Sequence, residues 1–165
     1  LYLHDCRDFD KQAICEAHSQ PLKHVDFTLD SKHIQTNCDG HELLFFDTIA
    51  GQQITEPSQL KNAEWASQHC VYGWQVQGLW KDAAGLPAAP SVAAVDRSPD
   101  GKLLVSADSR GRVVLRRFPC VDEGHGVSVG LGHAAPVTNV RFSSDGKRVL
   151  STGGVDRSVM QWKLV

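Results

Sequence analysis

The chain has 165 residues, of which 41% are hydrophobic and 22% charged, and a formal net charge of −2. This is the balance of an ordinary soluble globular protein with enough length for one core. Near-neutral charge supplies no general pull toward nucleic acid or an anionic membrane. No apolar run approaches the roughly 20 residues that span a bilayer, and no signal-peptide pattern is present.

In chain order, LYLHD (1–5) reads as a strand already under way, and Leu1 is not an initiator methionine, so the chain reads as part of a longer polypeptide. His18 and Pro21 then precede a strand and turn, VDFTLD (25–30), and the unit closes on Leu43-x-Phe45-Phe46-Asp47. That closing strand repeats Leu1-x-Leu3-His4-Asp5 with an offset of 42 residues. The interval Gly51–Pro90 breaks the rhythm. Within it NAEWA (62–66) and CVYGWQVQGLW (70–80) are rich in aromatic and β-branched residues and predict strands in the outer part of an atypical unit. KDAAGLPAAP (81–90) predicts a surface loop.

VDRSPD (95–100) and VRFSSD (140–145) match at an offset of 45, which also lays Gly101-Lys102 on Gly146-Lys147 and Ser106 on Ser151. Val113-x-Leu115-Arg116 and Val159-x-Gln161-Trp162 fill equivalent closing strands, and DEGHG (122–126) separates a strand ending near Phe118 from one over Val127–Leu131. Short strands, Asp-containing turns and a period in the forties are the pattern of four-stranded propeller blades. No stretch carries a convincing helical stripe.

The predicted fold is therefore all-β: a partial WD40 β-propeller of about three and a half blades, part of a larger propeller. Residues 1–17 read as the end of a preceding blade, 18–51 as a WD-like blade core, 52–118 as an atypical blade with an aromatic-rich insertion, and 119–165 as the terminal blade. An arc of this length leaves an apolar blade face uncovered, which places the remaining blades upstream in the same polypeptide.

In the terminal repeat His133, Ser151, Asp156 and Trp162 hold the positions of a WD hydrogen-bond network, in which the aspartate orients the histidine and the serine reaches both imidazole and indole. The 18–47 unit offers His18, Thr36, Asp39 and Phe46. The 92–116 unit has Pro90-Ser91 where the histidine belongs and Arg116 in the tryptophan position, either reaching the surface or pairing with Asp108.

Ser151, His133 and Asp156 are also the residue types of a hydrolytic triad, but a serine inside a strand has neither elbow turn nor oxyanion nest. The scattered Cys6, Cys15, Cys38, Cys70 and Cys120 suit a reducing compartment. Cys6, Cys15, His18 and His24 lack the close pairing of structural zinc sites, so no metal and no cofactor is expected. Trp65, Trp74 and Trp80 read as packing residues and His4 as a structural one. Lys102, Arg110, Arg112, Arg116 and Arg117 form a candidate basic rim for a carboxylate-rich protein surface.

NAEWA (62–66), CVYGWQVQGLW (70–80), KLLVSADSRGRVVL (102–115), FPC (118–120) and VTNVRFSSDGKRVLSTGGVDRSVMQW (137–162) together resemble the echinoderm microtubule-associated protein-like family, in its C-terminal propeller region, over roughly residues 22–165. The resemblance implies a tandem pair of joined propellers and microtubule association. It thereby implies a non-enzymatic scaffold of the cytoplasm and cytoskeleton, with tubulin as the expected partner. In members that carry an N-terminal coiled coil or basic tether, much of the attachment resides there, and neither is present in this chain. A generic WD adaptor for signalling or ubiquitin-pathway proteins is the alternative that the repeats alone allow.

Overall fold

The computed structural model describes residues 1–81, 91–122 and 127–165. They fall into two compact units, Leu1–Tyr72 and Gly73–Val165. In the first, β1 (Tyr2–His4) pairs with β2 (Lys11–Ile14), and β3 (Leu22–Phe27), β4 (His33–Cys38) and β5 (Leu43–Asp47) form a three-stranded sheet. In the second, β6 (Val92–Arg97), β7 (Leu103–Asp108), β8 (Arg112–Arg117) and β9 (Ser128–Leu131) make a four-stranded sheet. The chain ends in a sheet of β10 (Val137–Phe142), β11 (Arg148–Gly153) and β12 (Val159–Lys163). Every pairing is antiparallel.

The repeat seen in the sequence is reproduced at the level of single hydrogen bonds. Each of the three larger sheets opens on a strand whose register slips at the same place, between Leu22 and His24, Val92 and Ala94, and Val137 and Asn139. Each first strand then enters the same turn. The hydroxyls of Thr28, Ser98 and Ser143 donate to Asp30, Asp100 and Asp145 at 2.7, 2.6 and 2.6 Å, and accept from the amides of His33, Leu103 and Arg148. The following position is left-handed in all of them: Gly101 and Gly146 at φ +70° and +66°, and Ser31 at +59°. Hydroxyl, aspartate and glycine at fixed offsets are thus a turn with a mechanism.

Packing follows the strand alternation. In the second unit β10 lies against β6 and β7, burying Ala94, Val105, Ala107, Val113, Val137, Val140 and Val149, with Leu115, Phe142 and Trp162 packed at the margin. In the first, Cys15, Ile34 and Phe46 are buried together, flanked by Leu1, Leu3 and Leu44.

The aromatic-rich interval departs from the expectation of strands. Trp65 makes only an isolated bridge to Thr28. Residues Trp74–Val76 form a 3₁₀ turn and Gly78–Lys81 a single helical turn. Apolar residues here are used for burial without alternation: Trp65, Cys70, Val71, Val76 and Leu79 are all buried, and the Trp65 ring centroid lies 6.1 Å from that of Phe45. Propensity scored that burial as strand. Gly73 and Gly78 interrupt any run long enough to pair. Residues 82–90 of the loop expected over 81–90, and 123–126 of that expected over 122–126, lie outside the described residues.

Candidate functional site

Four backbone segments converge in the terminal repeat. Ser151 sits in the middle of β11, Trp162 on β12, His133 between β9 and β10, and Asp156 in the β11–β12 turn. Trp162 Nε1 donates to Ser151 Oγ at 2.8 Å. Ser151 Oγ lies 2.8 Å from His133 Nε2, and His133 Nδ1 lies 2.8 Å from Asp156 Oδ2. With the imidazole proton on Nδ1, every donor has its acceptor: indole to serine, serine to Nε2, Nδ1 to carboxylate. Burial pushes the Asp156 carboxyl up, but bonds from His133 and Ser158 outweigh it and hold the group below the ordinary carboxylate range. Ser151 is fully buried, and its hydroxyl accepts from the indole while its proton goes to the imidazole. Gly130 on β9 leaves room for the Trp162 ring, since a Cβ there would lie 2.8 Å from it.

The other repeats vary this arrangement. In the first unit His18 Nε2 lies 2.6 Å from Thr36 Oγ1, but Nδ1 meets Glu42 Oε2 at 3.0 Å. Asp39, the carboxylate expected from the turn, is instead tied to Lys23 at 3.2 Å. The longer glutamate reaches back from the far side of the turn, which a search for Asp alone does not find. Hydrogen bonds from Ser19 and then Cys38 hold the Glu42 carboxyl at about 2. In the 92–116 repeat Arg116 takes over the donor role of the indole, its Nη1 lying 3.0 Å from Ser106 Oγ. Asp108 is paired by Arg112 at 2.7 Å, and not by Arg116.

Sequence reasoning missed a second aspartate position. Asp26 is 1% exposed and accepts from Ser67 Oγ (2.6 Å), the His69 and Cys70 amides (2.8 Å each) and Gln35 Nε2 (3.1 Å). Burial drives its carboxyl up, but hydrogen bonds led by the His69 ring and Ser67 overcome this and depress it far below the usual range. Asp96, at the same place in the next repeat, accepts from the Phe142 amide at 2.7 Å and so ties β6 to β10. The signal was there in the recurring Val-Asp of 25–26 and 95–96.

The basic rim is divided by the hairpin that carries it. Arg110 and Arg112 stand at the β7–β8 turn, whereas Leu103 pairs with Arg117 at the opposite end, beside Lys102. Five residues of extended β8 separate Arg112 from Arg117, about 16 Å. Arg116 is half-buried on Ser106. The Lys102–Arg117 end is enlarged by residues the sequence reading did not include. Arg148 pairs with Lys163 across β11 and β12, and a Cβ on Gly146 in the adjoining turn would lie 3.5 Å from Pro99. Lys102, Arg117, Lys147, Arg148 and Lys163 are all exposed on this end of the second unit. Among the described residues none of the five forms an ion pair.

Small antiparallel sheets with a common bulge, a common turn and a histidine–hydroxyl–indole network define a WD-type β-propeller. The family model described as the second beta-propeller of echinoderm microtubule-associated protein matches residues 1–164, and the chain belongs to that family. Echinoderm microtubule-associated protein-like 2 of Mus musculus is 41% identical over 150 residues, covering 91% of this chain and 23% of that protein. The 77 kDa echinoderm microtubule-associated protein of Strongylocentrotus purpuratus is 35% identical over 159 residues, covering 96% and 23%. The chain thus spans less than a quarter of the length of these relatives.

Proposed function

We propose that this chain is a non-enzymatic interaction scaffold within a microtubule-associated protein of the cytoplasm and cytoskeleton, and that it contributes to microtubule binding through the Lys102–Arg117–Lys147–Arg148–Lys163 end of its second unit. The observation that carries this reading is the gathering of five exposed cations, none of which forms an ion pair among the described residues. Its relatives are named for microtubule association, and a carboxylate-rich protein surface is the partner such an end attracts. Binding of this kind is rigid display: strands fix the positions of the cations, and no bond-making chemistry is required.

Exposed apolar residues on strands, among them Phe27 on β3 and Val159 on β12, are covered in this reading by further sheets of the same polypeptide. The test of the binding claim is microtubule co-sedimentation of the full-length protein at low ionic strength. Charge reversal at Lys102, Lys147 and Lys163 is expected to lower the bound fraction severalfold and to flatten its salt dependence. A triple variant that pellets as wild type, with the same salt dependence, would reject the surface.

A further inference from the structure

The His18 network contains a group that the WD arrangement does not need. Cys38 closes β4 and pairs with Leu22, at the place where Gly153 closes β11 and pairs with Val137. The terminal repeat therefore builds its histidine–carboxylate pair with no side chain at this position. In the first repeat a buried thiol is added, its Sγ lying 3.0 Å from Glu42 Oε2, on which His18 Nδ1 also converges at 3.0 Å. The ligand atoms of His18, Cys38 and Glu42 all lie within 4.8 Å of one another. The geometry points to a zinc site formed by His18 Nδ1, Cys38 Sγ and Glu42 Oε2.

The donor set fits that ion. Imidazole, thiolate and carboxylate together are the ligands of zinc, and hard cations such as magnesium or calcium do not select sulfur. Zinc bonds of about 2.0–2.3 Å at tetrahedral angles set ligand separations near 3.3–3.6 Å. The observed 3.0 Å contacts therefore need to open by a few tenths of an ångström, and Glu42, with its side chain 31% exposed, is the ligand free to move. The three ligands come from separate backbone segments, before β3, at the end of β4 and just before β5, so the sheet presets them. Water supplies the fourth position from the Glu42 side.

The far side of the imidazole accommodates the same ion. Thr36 Oγ1 lies 2.6 Å from His18 Nε2 and 3.3 Å from the Leu44 carbonyl, and one hydroxyl proton cannot serve both acceptors. With the Nδ1 lone pair on zinc, the ring proton resides on Nε2 and is donated to Thr36, whose own proton goes to Leu44. That is the oriented, metal-bound tautomer. Binding releases the Cys38 thiol proton to solvent. The thiolate and the already ionised Glu42 then balance the two positive charges of the metal.

Metal-stripped full-length protein titrated with zinc against a chromogenic chelator, and with cobalt as a spectroscopic substitute, tests the assignment. Wild type is expected to bind one more equivalent of zinc than Cys38→Gly, the residue the terminal repeat uses. Its cobalt complex is expected to show a thiolate charge-transfer band that this variant loses. Glu42→Gln is expected to weaken binding about tenfold or more, and Cys6→Ser, at an exposed thiol, to change nothing. Equal zinc stoichiometry and identical cobalt spectra for wild type and Cys38→Gly would overturn the site. If Cys38→Gly does not fold, the melting temperature of wild type decides. A rise with zinc that Glu42→Gln loses supports the site, and no rise contradicts it.

Discussion

Trp162 and Arg116 occupy equivalent closing positions and donate to equivalent hydroxyls, Ser151 and Ser106, at 2.8 and 3.0 Å. Trp162→Phe keeps the ring over Gly130 but deprives Ser151 of its donor, and is expected to cost about 1 kcal/mol in urea denaturation. Trp162→Ala also removes the packing and is expected to cost about 3 kcal/mol. Equal losses for the two variants would contradict the hydrogen-bond assignment. Asp26 carries more. Its folded carboxyl is depressed, so its contribution is complete above the unfolded value near 4 and is lost progressively as pH falls below that value toward the folded one. Asp26→Asn turns an amide toward donors that need a carboxylate, and is expected to cost about 3 kcal/mol at pH 7. The penalty should shrink at pH 3, where the wild type has begun to lose the same interaction. A penalty independent of pH would show that the charge is irrelevant.

The recurring turn sets the scale of the single element. Gly101 has no atom within 4 Å of the place a Cβ would occupy, so Gly101→Ala isolates the backbone cost of φ +70°, about 1 kcal/mol. Ser31 bears that cost already at φ +59°, and Ser31→Gly is expected to raise stability by several tenths of a kcal/mol. Thermal melts of the pair should shift in opposite directions. These turns were readable from the sequence because Ser or Thr, Asp and Gly each has a distinct local job at a fixed offset. The interval after Gly51 was not, because its composition records burial and its path is set by tertiary bonds to Asp26 that no local pattern announces. Glu42 was hidden for a related reason: side-chain reach substituted for position. The basic rim was misjudged because proximity in sequence along β7 and β8 is distance in space, whereas Lys147, Arg148 and Lys163 arrive from another sheet.

At the scale of the whole molecule, a chain of near-neutral net charge gathers five exposed cations at one end of one unit. Global charge gave no sign of this, since the acids have local roles: Asp100 and Asp145 accept hydrogen bonds within the turns beside these cations, Asp108 pairs with Arg112, and Asp26 and Asp96 accept from backbone amides. The repeats thereby do two things with one residue type. Aspartates hold the sheets, and the lysines and arginines left over face outward. Zero-length carbodiimide coupling of the full-length protein to microtubules, read by mass spectrometry, examines this most directly. Lys102, Lys147 and Lys163 are expected to join to tubulin carboxylates, while Lys11 and Lys23 in the first unit are not. Coupling confined to those two, or absent from this chain while the protein is bound, would contradict the account.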